Sequence, residues 1–291
     1  MRYLSYRGAD GQSRFGFIEG DEVVALGPDG AAGSLVAFLT QAPEAIATAL
    51  ARAGGARQKL ADTHYLPVIE KPGKIVCLGL NYAEHAREGG FAVPDYPALF
   101  LRVTSTLIAH GEAIQRPSAS EALDYEAELA VVIGRRGRHL KAAEALDYVA
   151  GYTAFNDASV RDYQRRTAQW TPGKNFDATG ALGPVLVTPD ELPPGGTNLH
   201  IECRLNGQVM QSSSTSDMIF DVPRTLEILS EIMTLEPGDV IATGTPPGVG
   251  HARKPPVWMR DGDVVEIEIE KIGVLRNPVR DEARRTAEAL A

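Results

Sequence analysis

The chain predicts a mainly β protein with some α-helix: a mixed, largely antiparallel sheet assembly behind a small N-terminal α+β domain. Three observations support this. Strand-like apolar runs at 98–103, 125–133, 149–155, 184–187, 199–205, 239–242 and 264–270 outnumber the helical stretches near 81–88, 140–147, 158–166 and 221–232. The two kinds do not alternate strictly, as they would in a doubly wound parallel sheet. Finally, Val264-Val-Glu-Ile-Glu-Ile-Glu270 places Glu266, Glu268 and Glu270 on one face and Ile267 and Ile269 on the other, the pattern of a half-exposed antiparallel strand.

Taken in order, residues 1 to about 28 alternate short apolar runs with Gly, Asp and Ser turns, which predicts a strand meander. The Ala- and Leu-rich stretch from Leu35 to Leu50 and on to Leu60 has a helical rhythm, broken at Gln41-Ala42-Pro43 and at Gly54-Gly55. Pro67 and Lys71-Pro72-Gly73 punctuate the chain before the strand Lys74–Gly79. A domain boundary is therefore expected near residue 70, with 1–70 as the small N-terminal domain and 71–291 as the body. No fixed-period repeat is visible.

At 291 residues the chain has ample capacity for a core. Its 29 Lys and Arg against 38 Asp and Glu give a formal charge of -9, which argues against a nucleic-acid partner. The basic cluster Arg135-Arg136-Gly137-Arg138-His139 follows a strand and reads as an exposed turn. Cys77 and Cys203 have no metal-type spacing and read as small buried hydrophobes. Met1–Arg7 lacks an apolar signal core and no run approaches the length of a membrane span, so the cytoplasm is the expected compartment and no membrane partner is expected. A Gly-x-Ser-x-Gly elbow, a complete phosphate loop around Gly173-Lys174-Asn175 and a dinucleotide fingerprint are all missing.

The segment Leu123–Gly134 carries two carboxylates in a setting that otherwise reads as buried. With period two, Glu126 and Glu128 share a face with Ala130 and Val132, while Tyr125, Ala127, Leu129, Val131 and Ile133 share the other. Neither face is polar throughout. A buried, unpaired carboxylate shifts its pKa, finds a partner or binds a metal. The competing reading is a solvated strand end, and the acidic face at 266–270 is assigned to solvent on that ground.

Asp157 follows an apolar strand, with Asn156 and Ser159 suited to starting a helix, so taken alone it reads as a helix N-cap. Arg161 and Gln164, three apart, share a face of the helix that follows. Lys174 occupies a loop within Thr171–Asp177, where a single lysine is ordinarily solvated. The run Thr243–Gly250 reads equally as a tight turn and as a loop whose backbone donors approach an anion. His85 and Glu88, also three apart, share a face of a short helix, close enough for Glu88 to orient the imidazole or share activation of a water. Gly89-Gly90 beside them could serve as a hinge, and the other five histidines are assigned to surface or core.

Five pieces, Gly79–Glu88, Asp124–Glu128, Phe155–Gln164, Gly173-Lys174 and Glu236–Pro246, occur in the order that resembles the fumarylacetoacetate hydrolase family, in its bacterial acylpyruvate hydrolase and oxaloacetate decarboxylase branch. The resemblance covers about 74–280, and the first 70 residues look like the small N-terminal domain of longer members. It implies a mixed β-sandwich or roll as the catalytic domain and a homodimer. Position by position, it implies that Glu126, Glu128 and Asp157 bind Mg2+ or Mn2+, for which an all-oxygen ligand set is suited. It further implies that Arg161, Gln164, Lys174 and Gly244-Thr245, with Tyr82 of the first piece, hold a 2-oxo acid substrate, and that His85 and Glu88 lie on a lid that orders over it.

The chemistry this implies is hydrolytic carbon–carbon cleavage of an acylpyruvate, such as fumarylpyruvate or maleylpyruvate, in aromatic-compound catabolism. His85 with Glu88 would deprotonate a water for attack on the C4 carbonyl, and Lys174 with the cation would stabilise the departing pyruvate enolate. Decarboxylation of oxaloacetate or a related oxo-diacid is the alternative, since it generates the same enolate without an activated water. Isomerase and dehydratase chemistry also occurs among relatives, and fold resemblance does not choose among them. A non-catalytic, metal-stabilised binding protein would need the three carboxylates but not His85, Glu88 or Lys174, so the presence of all six weighs against it.

Overall fold

The computed structural model describes residues 1–26, 34–53 and 56–283. The expected meander forms as Arg2–Arg7, Ser13–Glu19 and Glu22–Ala25 and continues through Arg57–Lys59. Arg2–Arg7 then pairs antiparallel with Gly180–Val187, Tyr3 opposite Leu186, so the main sheet crosses the boundary expected near residue 70. From there the sheet runs through Val149–Asp157, Ala127–Ile133, Val240–Ala242 and Ile75–Gly79 to its edge at Ala98–Arg102, twelve strands with the short pieces His64–Tyr65 and Leu107–Ile108. A second sheet of five strands has the order Gln208–Ser214, His200–Leu205, Val264–Ile269, Gly273–Asp281, Ile114–Arg116. Most pairings in both sheets are antiparallel, as expected.

Ala127–Ile133 lies at the centre of this arrangement and is buried on both faces. Leu129, Val131 and Ile133 join Ile201, Ile267 and Ile269 in the core between the two sheets. Ala130 and Val132 face the other way, into a core with Phe155, Leu182, Leu35 and Phe38. Carboxylates at the start of such a strand therefore have no route to bulk water along it. By contrast, Val264–Ile269 buries only Val265, Ile267 and Ile269, and its Glu266 and Glu268 reach Arg204 at the surface.

Several elements differ from expectation. The Ala-rich stretch is two short helices, Leu35–Leu39 and Pro43–Ala51, the second starting on the proline that breaks the first; Gly54-Gly55 lies outside the described residues. Beyond them Arg57–Lys59 is a strand, because Glu22–Ala25 offers a free edge and pairs with it, Glu22 opposite Lys59. The helix expected at 158–166 shrinks to one turn, Arg161–Gln164, since Ser159-Val160 bridges to Leu123-Asp124. Near 140–147 the chain forms a 3-10 helix, Ala142–Tyr148. Val222–Ile232 is helical as expected, capped by the Asp221 carboxylate, which accepts the Arg224 N–H at 2.9 Å. Cys77 and Cys203 are buried and free. Among the described residues no helix is long and apolar enough to cross a membrane.

Candidate active site

Glu126 and Glu128 sit at the N-terminal end of the central strand, and Asp157 ends its antiparallel neighbour, where Glu128 lies opposite Phe155. One oxygen from each carboxylate lies within 4.8 Å of the others, and all three side chains are buried. Asp157 is no N-cap. The turn after it is entered through Val160 with no side-chain cap, while the Asp157 carboxylate ion-pairs with Arg102 and, at 2.6 Å, with Lys174 Nζ. Lys174 ends the one-turn helix Thr171–Lys174 and is 2 % exposed, so the solvated-loop reading does not hold. Its ammonium also lies 2.6 Å from Glu126 Oε2.

Arg161 completes the polar cluster: its Nε donates to Asp124 Oδ2 at 2.8 Å, and its Nη1 lies 2.7 Å from Glu126 Oε1 and 2.9 Å from Gln164 Oε1. Burial would raise the Glu126 carboxyl, but Lys174 and Arg161 outweigh it and hold the group well below the usual carboxylate range. Glu128 behaves oppositely. Burial, then Asp157 and Glu126, push it well above its ordinary value, and it accepts the Gly244 N–H at 2.9 Å. Burial opposes the charge on Lys174, and Asp157 with Glu126 more than offsets it, so the lysine is raised and stays an ammonium.

These contacts test whether a cation fits. Four buried carboxylates, Asp124, Glu126, Glu128 and Asp157, meet three buried cations, Arg102, Arg161 and Lys174, and among the described residues Glu128 is the one of the four without an ion-pair partner. A divalent cation would supply the positive charge that favours an ionised Glu128, and the three carboxylates converging here offer oxygen donors with no thiolate or imidazole among them, which favours Mg2+ or Mn2+ over softer metals. The residues present fit the group.

A cavity opens over this cluster, lined by Glu126, Glu128, Lys174, Arg161, Gln164, Thr245 and His85 among others, with Leu78, Phe100 and Trp170 as apolar walls. Trp170 packs so closely on Gly79 that a Cβ there would lie 2.0 Å from its ring. His85 lies on the helix Ala83–Glu88 and its Nδ1 is 2.9 Å from Glu88 Oε1. Glu88 in turn accepts the Gly248 N–H at 3.0 Å, which fixes it against the 243–250 loop. Gly244, at φ +97, has no room for a Cβ against Asn81. The Tyr82 side chain is buried but lines a separate pocket with Glu84, Ser213 and Asp217.

Sequence reasoning missed four residues that organise the site. Arg102 stood in an apolar strand, where a lone cation signals a buried partner. Asp124 opens the segment Asp124–Glu128; it is fully buried and accepts from Arg161, Tyr125 N, Gly250 N and His251 N. Asn81 clamps Phe220 and Thr243 through its amide. His251 lines the cavity, and its sequence neighbours gave no signal of that.

Known proteins share this architecture. The family described as "Fumarylacetoacetate (FAA) hydrolase C-terminal" matches residues 74–280. A rat mitochondrial protein named oxaloacetate tautomerase is 42 % identical over 250 residues, 84 % of this chain and 79 % of that one. The crystal structure of 5-carboxymethyl-2-hydroxymuconate delta-isomerase from Mycobacterium smegmatis superposes with a TM-score of 0.80 at 36 % identity, covering 97 % of this chain and 100 % of that one. Maleylpyruvate hydrolase from Sphingobium sp. SYK-6 gives 0.79 at 28 % identity, with coverage of 97 % and 100 %. With the matched span containing the three carboxylates, Lys174 and the His85–Glu88 pair, the chain belongs to the fumarylacetoacetate hydrolase family.

Proposed function

We propose that this protein is a divalent-metal-dependent enzyme acting on a 2-oxo acid through its enol or enolate, and that its reaction is hydrolytic cleavage of an acylpyruvate with release of pyruvate. The observation that carries the reading is that His85, paired with Glu88, lines the same cavity as Glu126 and Glu128. An ionised Glu88 is acceptor-only, so His85 Nδ1 holds the proton of their 2.9 Å contact and Nε2 keeps its lone pair for a water. Glu88, pinned by Gly248 N–H, orients the ring and stabilises the imidazolium that forms. Mg2+ or Mn2+ held by Glu126, Glu128 and Asp157 would supply Lewis-acid polarisation of the substrate's oxygens. Lys174 and Arg161 add positive charge where the departing enolate develops, and the apolar walls strengthen that interaction by excluding water. Thr245 and Gln164 line the same space and would contribute polar contacts to the substrate.

A second reading, tautomerisation of oxaloacetate, is favoured by the 42 % identity with the rat protein of that name. It needs His85 to move a proton between carbon and oxygen, with no skeletal bond broken. The two separate in one experiment, in which the Mg- or Mn-loaded protein is given a panel of acylpyruvates and oxaloacetate. Pyruvate released with a second carboxylic acid supports hydrolysis; enol–keto interconversion of oxaloacetate with no pyruvate from any acylpyruvate supports tautomerisation. Inertness toward all of them would overturn both.

A further inference from the structure

We propose that Gln211, on the second sheet, is a positioning residue that fixes the Thr245 hydroxyl as a hydrogen-bond donor, so that this edge of the cavity takes an oxygen acceptor of the bound anion and not a donor group. The proposal rests on the 2-oxo acid reading above and deepens it by assigning the residue that sets the polarity of one substrate contact.

Gln211 lies in the strand Gln208–Ser214, where regular alternation would send one of any two neighbouring side chains to each face. Met210 and Gln211 are both buried, because the pairing steps from Cys203–Gln211 to Arg204–Val209 and leaves Met210 as an extra residue. A bulge of this kind re-aims the side chains around it. Here it presses Met210 O against Gly248, where a Cβ would lie 2.3 Å away, and sets the Gln211 amide between the central strand and the 243–250 loop.

Backbone groups at both ends fix which way this amide points. The Ala127 N–H, between Glu126 and Glu128, can only donate, and Oε1 accepts it at 2.9 Å. Pro246 O can only accept, and Nε2 donates to it at 2.8 Å. The second Nε2 hydrogen goes to Thr245 Oγ1, also at 2.8 Å. Toward Gln211 the hydroxyl is therefore an acceptor, and its own hydrogen has no acceptor among the described residues. Thr245 is buried and lines the cavity with Glu126, Glu128 and Lys174, so that hydrogen is left for a ligand held there. The preceding residue is fixed as well, Gly244 N–H donating to Glu128 Oε2 at 2.9 Å, which keeps the loop from drifting away from the strand. A donor whose direction is set before binding gives a charged acceptor a hydrogen bond stronger than one between neutral groups.

The test is a double-mutant cycle read by calorimetric titration of oxalate into the full chain at saturating Mg2+. Thr245→Val should weaken oxalate about tenfold, the size expected for one hydrogen bond to a charged group, while Thr245→Ser, which keeps the hydroxyl, should stay within about threefold of wild type. Gln211→Met, uncharged and close in volume, should weaken oxalate about threefold or more when Thr245 is present, and by less than about 1.5-fold when made in the Thr245→Val protein. A clamp that served the fold alone would not show that dependence, since losing the Ala127 and Pro246 bonds lowers the unfolding temperature in both backgrounds alike. Gln211→Glu keeps an acceptor for the Ala127 N–H and removes the amide donors, so it carries the same cycle if the Met variant does not fold. Equal losses in the two backgrounds, no loss on replacing Gln211, or wild-type affinity in Thr245→Val would each overturn the proposal. Failure of oxalate to bind the wild type overturns the 2-oxo acid reading and the proposal with it, a result distinct from oxalate binding that is indifferent to Thr245 and Gln211.

Discussion

Lys174 Nζ lies 2.6 Å from Asp157 Oδ2, and both side chains are shut away from solvent. The same ammonium is 2.6 Å from Glu126 Oε2, so one lysine bridges two of the three carboxylates proposed to hold the cation. It competes with a metal for those oxygens while standing where enolate charge would develop. Lys174→Met should therefore separate two observables. Mg2+ or Mn2+ affinity should be unchanged or several-fold tighter, while turnover of acylpyruvate and oxaloacetate falls by roughly a hundredfold, the usual consequence of removing preorganised charge. Calorimetry beside steady-state kinetics checks this, and a loss of metal affinity matching the loss of turnover would contradict it.

Arg102 holds Asp157 from the other side, with further hydrogen bonds to Thr179 Oγ1 and Ala158 O. Replacing it by Leu leaves the buried Asp157 carboxylate with Lys174 alone as its cation, and removing one partner from a buried ion pair costs about 3–5 kcal/mol. Urea unfolding of metal-free Arg102→Leu should show a loss of that size. A change under about 1 kcal/mol would mean that Asp157 is solvated in solution.

Hydrolysis needs a base for water, whereas decarboxylation needs chiefly the metal and cationic groups. His85→Ala should lower acylpyruvate hydrolysis by about a hundredfold or more and oxaloacetate decarboxylation much less. Near wild-type hydrolysis in that variant would remove His85 as the base.

The helix Ala83–Glu88 is followed by Gly89 and by Gly90 at φ +79, and beyond them Phe91, Val93 and Tyr96 are exposed. If this segment closes over ligand, amide hydrogen exchange across residues 82–95 should slow when oxalate binds the Mg-loaded protein. Equal exchange with and without oxalate would argue against a lid.

Much of this site was legible from residue pattern. Glu126 and Glu128 stood out because their strand is apolar on both faces, and the central strand does pack into two cores. Glu266 and Glu268, with the same spacing, alternate with isoleucines and reach the surface, as their pattern indicated. What local pattern could not show was convergence. Asp157 looked like a helix cap and Lys174 a solvated loop because their partners lie 17 residues apart or, for Lys174 and Glu126, 48. Arg102 reaches Asp157 across 55 residues and was invisible for the same reason. Gln208–Ser214 and Gly273–Asp281 were missed as strands because each gains its order from pairing along the second sheet rather than from a strong alternation of its own.

Calorimetric titration of Mn2+ into metal-stripped protein and its Glu128→Gln variant tests whether Glu126, Glu128 and Asp157 together hold one divalent cation. The substitution keeps the side chain's shape, removes the carboxylate that has no cationic partner and leaves an amide oxygen for the Gly244 N–H, so the variant should fold. The wild type should show one site per chain and the variant no measurable binding, with activity lost alongside. Equal Mn2+ affinity in the two proteins would contradict it.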